Sequence, residues 1–119
     1  MSKTVEFLSD SLERLRKFPE ETRISLGYAI RVAQEGGKVG YAKPLKGLGG
    51  GATVLEVCED HGGDTYRLMY TVKIGTKLYV LHAFQKKSKK GIETPKSEMD
   101  IVKSRLKLAK ELAKQGDVR

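Results

Sequence analysis

The chain has 119 residues, enough for one domain with an ordinary core and no need of metal or disulfide staples. Its one cysteine, Cys58, excludes an internal disulfide and suits a reducing cytosol, and no apolar run approaches the roughly 20 residues of a membrane helix. The formal charge of +8 is lopsided: residues 1–60 carry nine Lys/Arg and nine Asp/Glu, whereas residues 61–119 carry fourteen against six. An anionic partner for the C-terminal half follows, or a surface kept solvated by its charge. The start Met1-Ser2-Lys3-Thr4-Val5-Glu6 lacks the apolar core of a signal peptide, so the simple reading is a soluble cytoplasmic protein without a membrane partner.

In chain order, Val5 and Phe7 alternate with polar neighbours and predict a short strand. Ser9 or Asp10 caps a helix with Leu12, Leu15 and Phe18 on its apolar side. Pro19 ends it and opens a second helix, with Glu20 and Glu21 near the positive end of the dipole. That helix runs to about Glu35, buries Ile24, Leu26, Ile30 and Ala33, and stops at Gly36-Gly37. The two helices form an antiparallel hairpin. Residues 36–52 are glycine-rich, include Tyr41, Lys43 and Lys46, and read as a long irregular connection of the kind that carries function.

A three-strand meander follows: Thr53–Asp60, a turn at Gly62-Gly63, Thr65–Lys73, a turn at Ile74-Gly75-Thr76, then Lys77–Phe84. Strand parity puts Tyr66, Leu68, Tyr70 and Val72 on the face that packs on the helices, and Arg67, Met69, Thr71 and Lys73 on an open face. With a tight Gly62-Gly63 turn, Cys58 lies opposite Arg67 and Glu56 lies diagonal to it. Thr94-Pro95 caps and opens a last helix to about Gln115, whose stripe is Met99, Val102, Leu106, Ala109 and Ala113. Lys103, Lys107, Lys110 and Lys114 line another side of it.

Metal-ligand spacing, a phosphate-binding glycine loop and a nucleophile elbow are all missing from the sequence, so neither metal nor cofactor is expected. What remains is cations around a sheet: Arg67 in mid-strand and Lys86, Lys87, Lys89 and Lys90 after the last strand. RNA is cut without metal when its 2′-hydroxyl attacks the adjacent phosphate. The protein must then supply positive charge for the pentavalent phosphate, a base and an acid. The Arg67 guanidinium fits the first role, and Lys86 and Lys87 can share it. The base is open among Glu56, Lys86, Lys87 and His82, and Glu56 reads equally well as a salt bridge that orients Arg67. Lys46, Lys73, Lys89 and Lys90 are candidate RNA contacts, although a lysine run also reads as a solvated loop. A three-residue turn puts Val80, His82 and Phe84 on the helix side beside Leu68, making His82 a core residue, and that is the favoured reading. His61 reads as a turn residue, Tyr66 and Tyr70 as core, and Tyr41 as a base-stacking candidate if its loop nears the open face.

Lys43-Pro44-Leu45-Lys46-Gly47-Leu48, Leu55-Glu56-Val57, Tyr66-Arg67-Leu68-Met69-Tyr70, Leu81-His82-Ala83-Phe84-Gln85-Lys86-Lys87-Ser88 and Thr94-Pro95-Lys96-Ser97-Glu98 occur here in that order. Over nearly the whole chain this pattern resembles the RelE/HigB superfamily of type II toxin–antitoxin toxins, and within it the phage-derived HigB-like branch. The resemblance implies an α+β fold: a small antiparallel sheet against an N-terminal helical hairpin, with a C-terminal helix, as a single toxin domain. It implies a metal-independent endoribonuclease that enters the ribosome and cuts messenger RNA. It also implies a cognate antitoxin, of helix-turn-helix DNA-binding type, through which alone the pair would meet operator DNA. Arg67 matches the strand arginine of that family and Lys87 the basic residue after the last strand. RelE carries two lysines on the strand before the arginine, where this chain has Glu56 and Cys58, and RelE's late tyrosine has no counterpart near Glu93. A ParE-like inhibitor of DNA gyrase and a non-catalytic module binding RNA or antitoxin are the alternatives.

Overall fold

The computed structural model describes residues 2–48, 53–86 and 94–117. The elements are β1 (Val5–Phe7), α1 (Ser11–Arg16), α2 (Glu20–Gln34), β2 (Lys43–Pro44), β3 (Leu55–His61), β4 (Asp64–Thr71), β5 (Leu78–Lys86) and α3 (Lys96–Asp117). The strands form one sheet in the order β1-β5-β4-β3-β2. The architecture is α+β with three helices, as expected, but the sheet is mixed, because β1 runs parallel to β5 at one edge. At the other edge β2, inside the segment read as irregular, pairs Lys43 with Glu56 and Pro44 with Leu55. Proline is tolerated there because an edge strand has a side with no ladder partner.

Local chemistry explains most boundaries. Gly62 and Gly63 both have positive φ, 59° and 88°, which a tight two-residue hairpin requires. That turn sets the register Cys58↔Arg67 and Glu56↔Met69, so Glu56 is diagonal to Arg67. Gly36, at φ 93°, ends α2 as expected. Asp10 precedes α1 but makes no side-chain cap; its carboxylate accepts from Arg14 instead. Pro95 rather than Thr94 directly precedes α3, and its carbonyl accepts from Met99 N–H.

The largest correction concerns the sheet face expected to be open. One face carries α1 and α2 over a core that includes Leu15, Phe18, Leu26, Ile30, Tyr66, Leu68, Tyr70 and Val80. The other is covered by α3, whose Val102, Leu106, Ala109 and Ala113 pack with Leu8, Val54, Met69, Tyr79, Leu81 and Phe84. Met69 and Thr71, expected in solvent, are at most 1% exposed. The apolar stripe of α3 is a 3.6-residue pattern that must be buried somewhere, and this face is where it docks.

Two smaller corrections share that origin in tertiary packing. The register shifts between Met69↔His82 and Tyr70↔Val80, which leaves Leu81 as an extra residue in β5. This bulge resets the parity of the strand. Val80 and Ala83 pack on the α1–α2 side, whereas His82 and Phe84 pair with Met69 and Arg67 on the α3 side. His82 is therefore buried, as favoured, but on the opposite face. Ile24, expected in the core, is 65% exposed on α2, and Thr22 and Ala29 are buried instead.

Candidate functional site

Arg67 is only 4% exposed, and its side chain meets the chemistry that a buried guanidinium demands. Its Nη1 donates to Glu56 Oε2 at 2.9 Å and to Thr94 Oγ1 at 3.3 Å. Thr94 in turn donates to the same Glu56 oxygen at 3.1 Å. Three elements thus meet at one carboxylate: β4 supplies Arg67, β3 Glu56, and the residues before α3 supply Thr94.

Two more lysines share that face by register. Lys43 of β2 stands opposite Glu56, and Lys86 of β5 stands opposite Thr65, two residues before Arg67. Lys43 is exposed and Lys86 half-buried. Cys58, across from Arg67, has its thiol pushed up by burial and by the Glu56 carboxylate, against the pull of Arg67 and Lys43.

Of the residues expected at the site, the fold thus gathers Arg67, Glu56 and Lys86. Lys73 is exposed past the far end of β4, with Thr71 between it and the strand's buried part. Lys46 is exposed on a segment whose Leu45 and Leu48 lean into the second core, and no described bond ties it to Arg67. Lys87, Lys89 and Lys90 lie outside the described residues. Tyr41 is not beside Arg67: it hydrogen-bonds Glu59, which pairs with Tyr66 on the α1–α2 face. Burial and that carboxylate push the Tyr41 hydroxyl up to about 12.

Sequence reasoning missed Thr94 as part of the site, because a threonine before proline reads first as a helix cap. It also missed a second polar cluster. Buried His82 contacts Glu98 Oε1 through Nε2 at 2.6 Å and Arg105 Nη1 through Nδ1 at 3.2 Å. Arginine only donates, so Nδ1 must accept, and the proton sits on Nε2 facing Glu98. Arg105 also donates to Leu81 O at 3.0 Å and to Asp10 Oδ1 at 2.6 Å. This cluster pins the first turns of α3 to β5 and α1. The Arg14 hydrogen bond, with Arg105 assisting, holds Asp10 down to about 2.

Burial pushes His82 below its ordinary range; Glu98 opposes that, and Arg105 and Arg14 reinforce it. A histidine with a lowered folded pKa is neutral in the fold, whereas the unfolded chain takes up a proton near 6.5. The unfolded state therefore binds more protons just below that pH, and stability falls as pH drops through about 6.5. The urea midpoint should decline between pH 7.5 and 5.5, and His82→Gln should flatten that slope. A wild-type midpoint level across this window contradicts the neutral buried imidazole.

Among the described residues, no group of three or more His, Cys, Asp and Glu side chains is placed to hold a metal ion, and no helix is long and apolar enough to cross a membrane. Residues 13–107 match the family described as "Phage derived protein Gp49-like (DUF891)". That span covers most of the chain, including Arg67, Glu56 and Thr94 and also His82, Glu98 and Arg105, and the chain belongs to this toxin-like family, which is related to RelE/HigB type toxins. No curated protein matches the chain.

Proposed function

We propose that this member of the phage-derived Gp49-like family is the toxin of a toxin–antitoxin pair that cuts messenger RNA on the ribosome without metal. The observation that carries this reading is the Arg67–Glu56 ion pair at 2.9 Å, with Lys43 and Lys86 on the same face. A base takes the proton of the RNA 2′-hydroxyl, the oxygen attacks the neighbouring phosphorus, and the P–O5′ bond breaks. The 5′-oxygen leaves with a proton from an acid, giving a 2′,3′-cyclic phosphate and a 5′-hydroxyl. Arg67 holds positive charge against the phosphate as it becomes pentavalent. In this reading Glu56, which accepts from Arg67 and Thr94, serves as base, and Lys86 or Lys87 serves as acid. The exposed lysines of α3, Lys103, Lys107, Lys110 and Lys114, suit ribosomal RNA or an acidic antitoxin segment.

The burial of Arg67 favours a second reading, in which the ion pair only holds β3, β4 and α3 together and the protein binds antitoxin or RNA without cutting. Induction in growing cells, followed by mapping of transcript ends, separates the readings. The first expects growth arrest with new ends inside translated frames. Arrest with intact transcripts and trapped gyrase–DNA breaks would identify a gyrase inhibitor, and unimpaired growth would leave the binding module.

A further inference from the structure

His82 is fully buried, yet both of its ring nitrogens are engaged, and both partners come from α3. Glu98 and Arg105 are seven residues apart, two turns of helix, so they share a face and hold the imidazole at two points along the axis. His82 belongs to β5, where it stands opposite Met69 in the ladder. Its two bonds therefore fix how far α3 can slide along the sheet. The apolar contacts of Val102, Leu106 and Ala109 do not, because apolar attraction has no direction, whereas a hydrogen bond weakens steeply once misaligned.

The same helix carries Thr94. The carbonyl of Pro95 accepts from Met99 N–H at 2.9 Å, so the helical ladder already reaches Pro95. The fixed φ of that proline, and the restriction it places on the residue before it, leave Thr94 little freedom of its own. Thr94 lies four residues before Glu98, about one turn, and its Oγ1 meets Glu56 Oε2 at 3.1 Å and Arg67 Nη1 at 3.3 Å. On the sheet side, Phe84 stands opposite Arg67, and its ring stacks on His82 with centroids 5.4 Å apart. The two polar clusters are thus joined twice, through the first turn of α3 and through the end of β5.

We propose that His82, Glu98 and Arg105 are positioning residues for the site: they fix where α3 stops along β5 and so hold Thr94 on Glu56. That role presupposes Glu56 as the base of RNA cleavage. Both donors described for Glu56 take Oε2, which leaves Oε1 to receive the proton of the RNA 2′-hydroxyl. A slip of α3 takes the Thr94 hydroxyl away and lets the carboxylate turn.

Cleavage kinetics on ribosomes translating a defined message, beside spectra of the protein alone, test this. Glu98→Ala should lower kcat by about 10²-fold with KM unchanged, the loss that a misplacement of about 1 Å brings. Glu98→Gln keeps an oxygen to accept from His82 Nε2 and should recover most of the rate. Thr94→Val, which loses the hydroxyl but keeps the shape, should match Glu98→Ala. The two combined should be no slower than either alone, because both break one link. Without RNA, the carboxyl carbon resonance of Glu56 should move alike in Glu98→Ala and Thr94→Val and return in Glu98→Gln. Additive losses, a Glu98→Gln protein as slow as Glu98→Ala, or a Glu56 resonance indifferent to Glu98 would each overturn the positioning role. A wild type that leaves the message intact defeats Glu56 as base instead, and the Glu56 resonance still decides whether the clamp holds it.

Discussion

Arg67→Ala is expected to lower RNA cleavage by roughly 10²–10³-fold, the usual loss when a fixed donor to a developing negative charge is removed. The same change should cost about 3 kcal/mol of stability, because it strands Glu56, whose side chain is only 13% exposed, without its cation. The two effects are separable. Glu56→Leu with Arg67→Met exchanges the buried pair for apolar groups of similar size, which is often near neutral for stability. That double variant should melt close to the wild type and still fail to cleave. Thermal melts beside a cleavage assay decide it: activity in the well-folded double variant removes Arg67 from the chemistry.

Val102→Asp is the second large effect. Val102 is fully buried between α3 and the sheet, beside a cluster that includes Met69, Leu81 and Leu106. A carboxylate buried among these apolar side chains costs several kcal/mol. Val102→Ala, which removes only methyl groups, should cost about 1–3 kcal/mol. Ile24→Asp, on the exposed face of α2, should change monomer stability by less than about 1 kcal/mol. Urea unfolding of the three variants gives the ranking. A Val102→Asp protein as stable as Ile24→Asp would mean that α3 does not seal the second face.

These two residues mark how far the sequence could be read. The Glu56–Arg67 diagonal was legible because Gly62-Gly63 fixes the hairpin turn, and a turn of known length fixes which side chains meet. The same counting fails one strand later. Leu81 is an extra residue in β5, and nothing in an apolar run announces which member is the bulge, so simple alternation puts His82 and Phe84 on the wrong face.

Val102 teaches a different lesson. Its helix was legible from its stripe, as were its start near Thr94-Pro95 and its length. Where the stripe docks is a tertiary matter, and charged Arg67 in β4 and Lys73 just beyond it, which share one parity, imitate a solvent face. Arg67 is buried all the same, and its Nη1 donates to Glu56 and to Thr94. Ile24 errs the other way: it fits the helical period but falls at the margin of the buried arc, where Thr22 and Ala29 take the inner places. Asp10 and Thr94 share one cause. Each is a good cap by type, and each is claimed by charged partners instead, Arg14 and Arg105 for Asp10 and Arg67 with Glu56 for Thr94.

The site that results is compact. It holds one carboxylate shared by an arginine and a threonine, two lysines on the same sheet face, and the first turns of α3 pinned nearby by Glu98 and Arg105. The measurement that tests it most directly is made with purified protein and ribosomes translating a defined message, the 3′ ends of the fragments being identified chemically. The account predicts cleavage inside the reading frame that leaves 2′,3′-cyclic phosphate and requires Arg67. An intact message under these conditions, or fragments formed equally well by the folded Glu56→Leu/Arg67→Met variant, would contradict it.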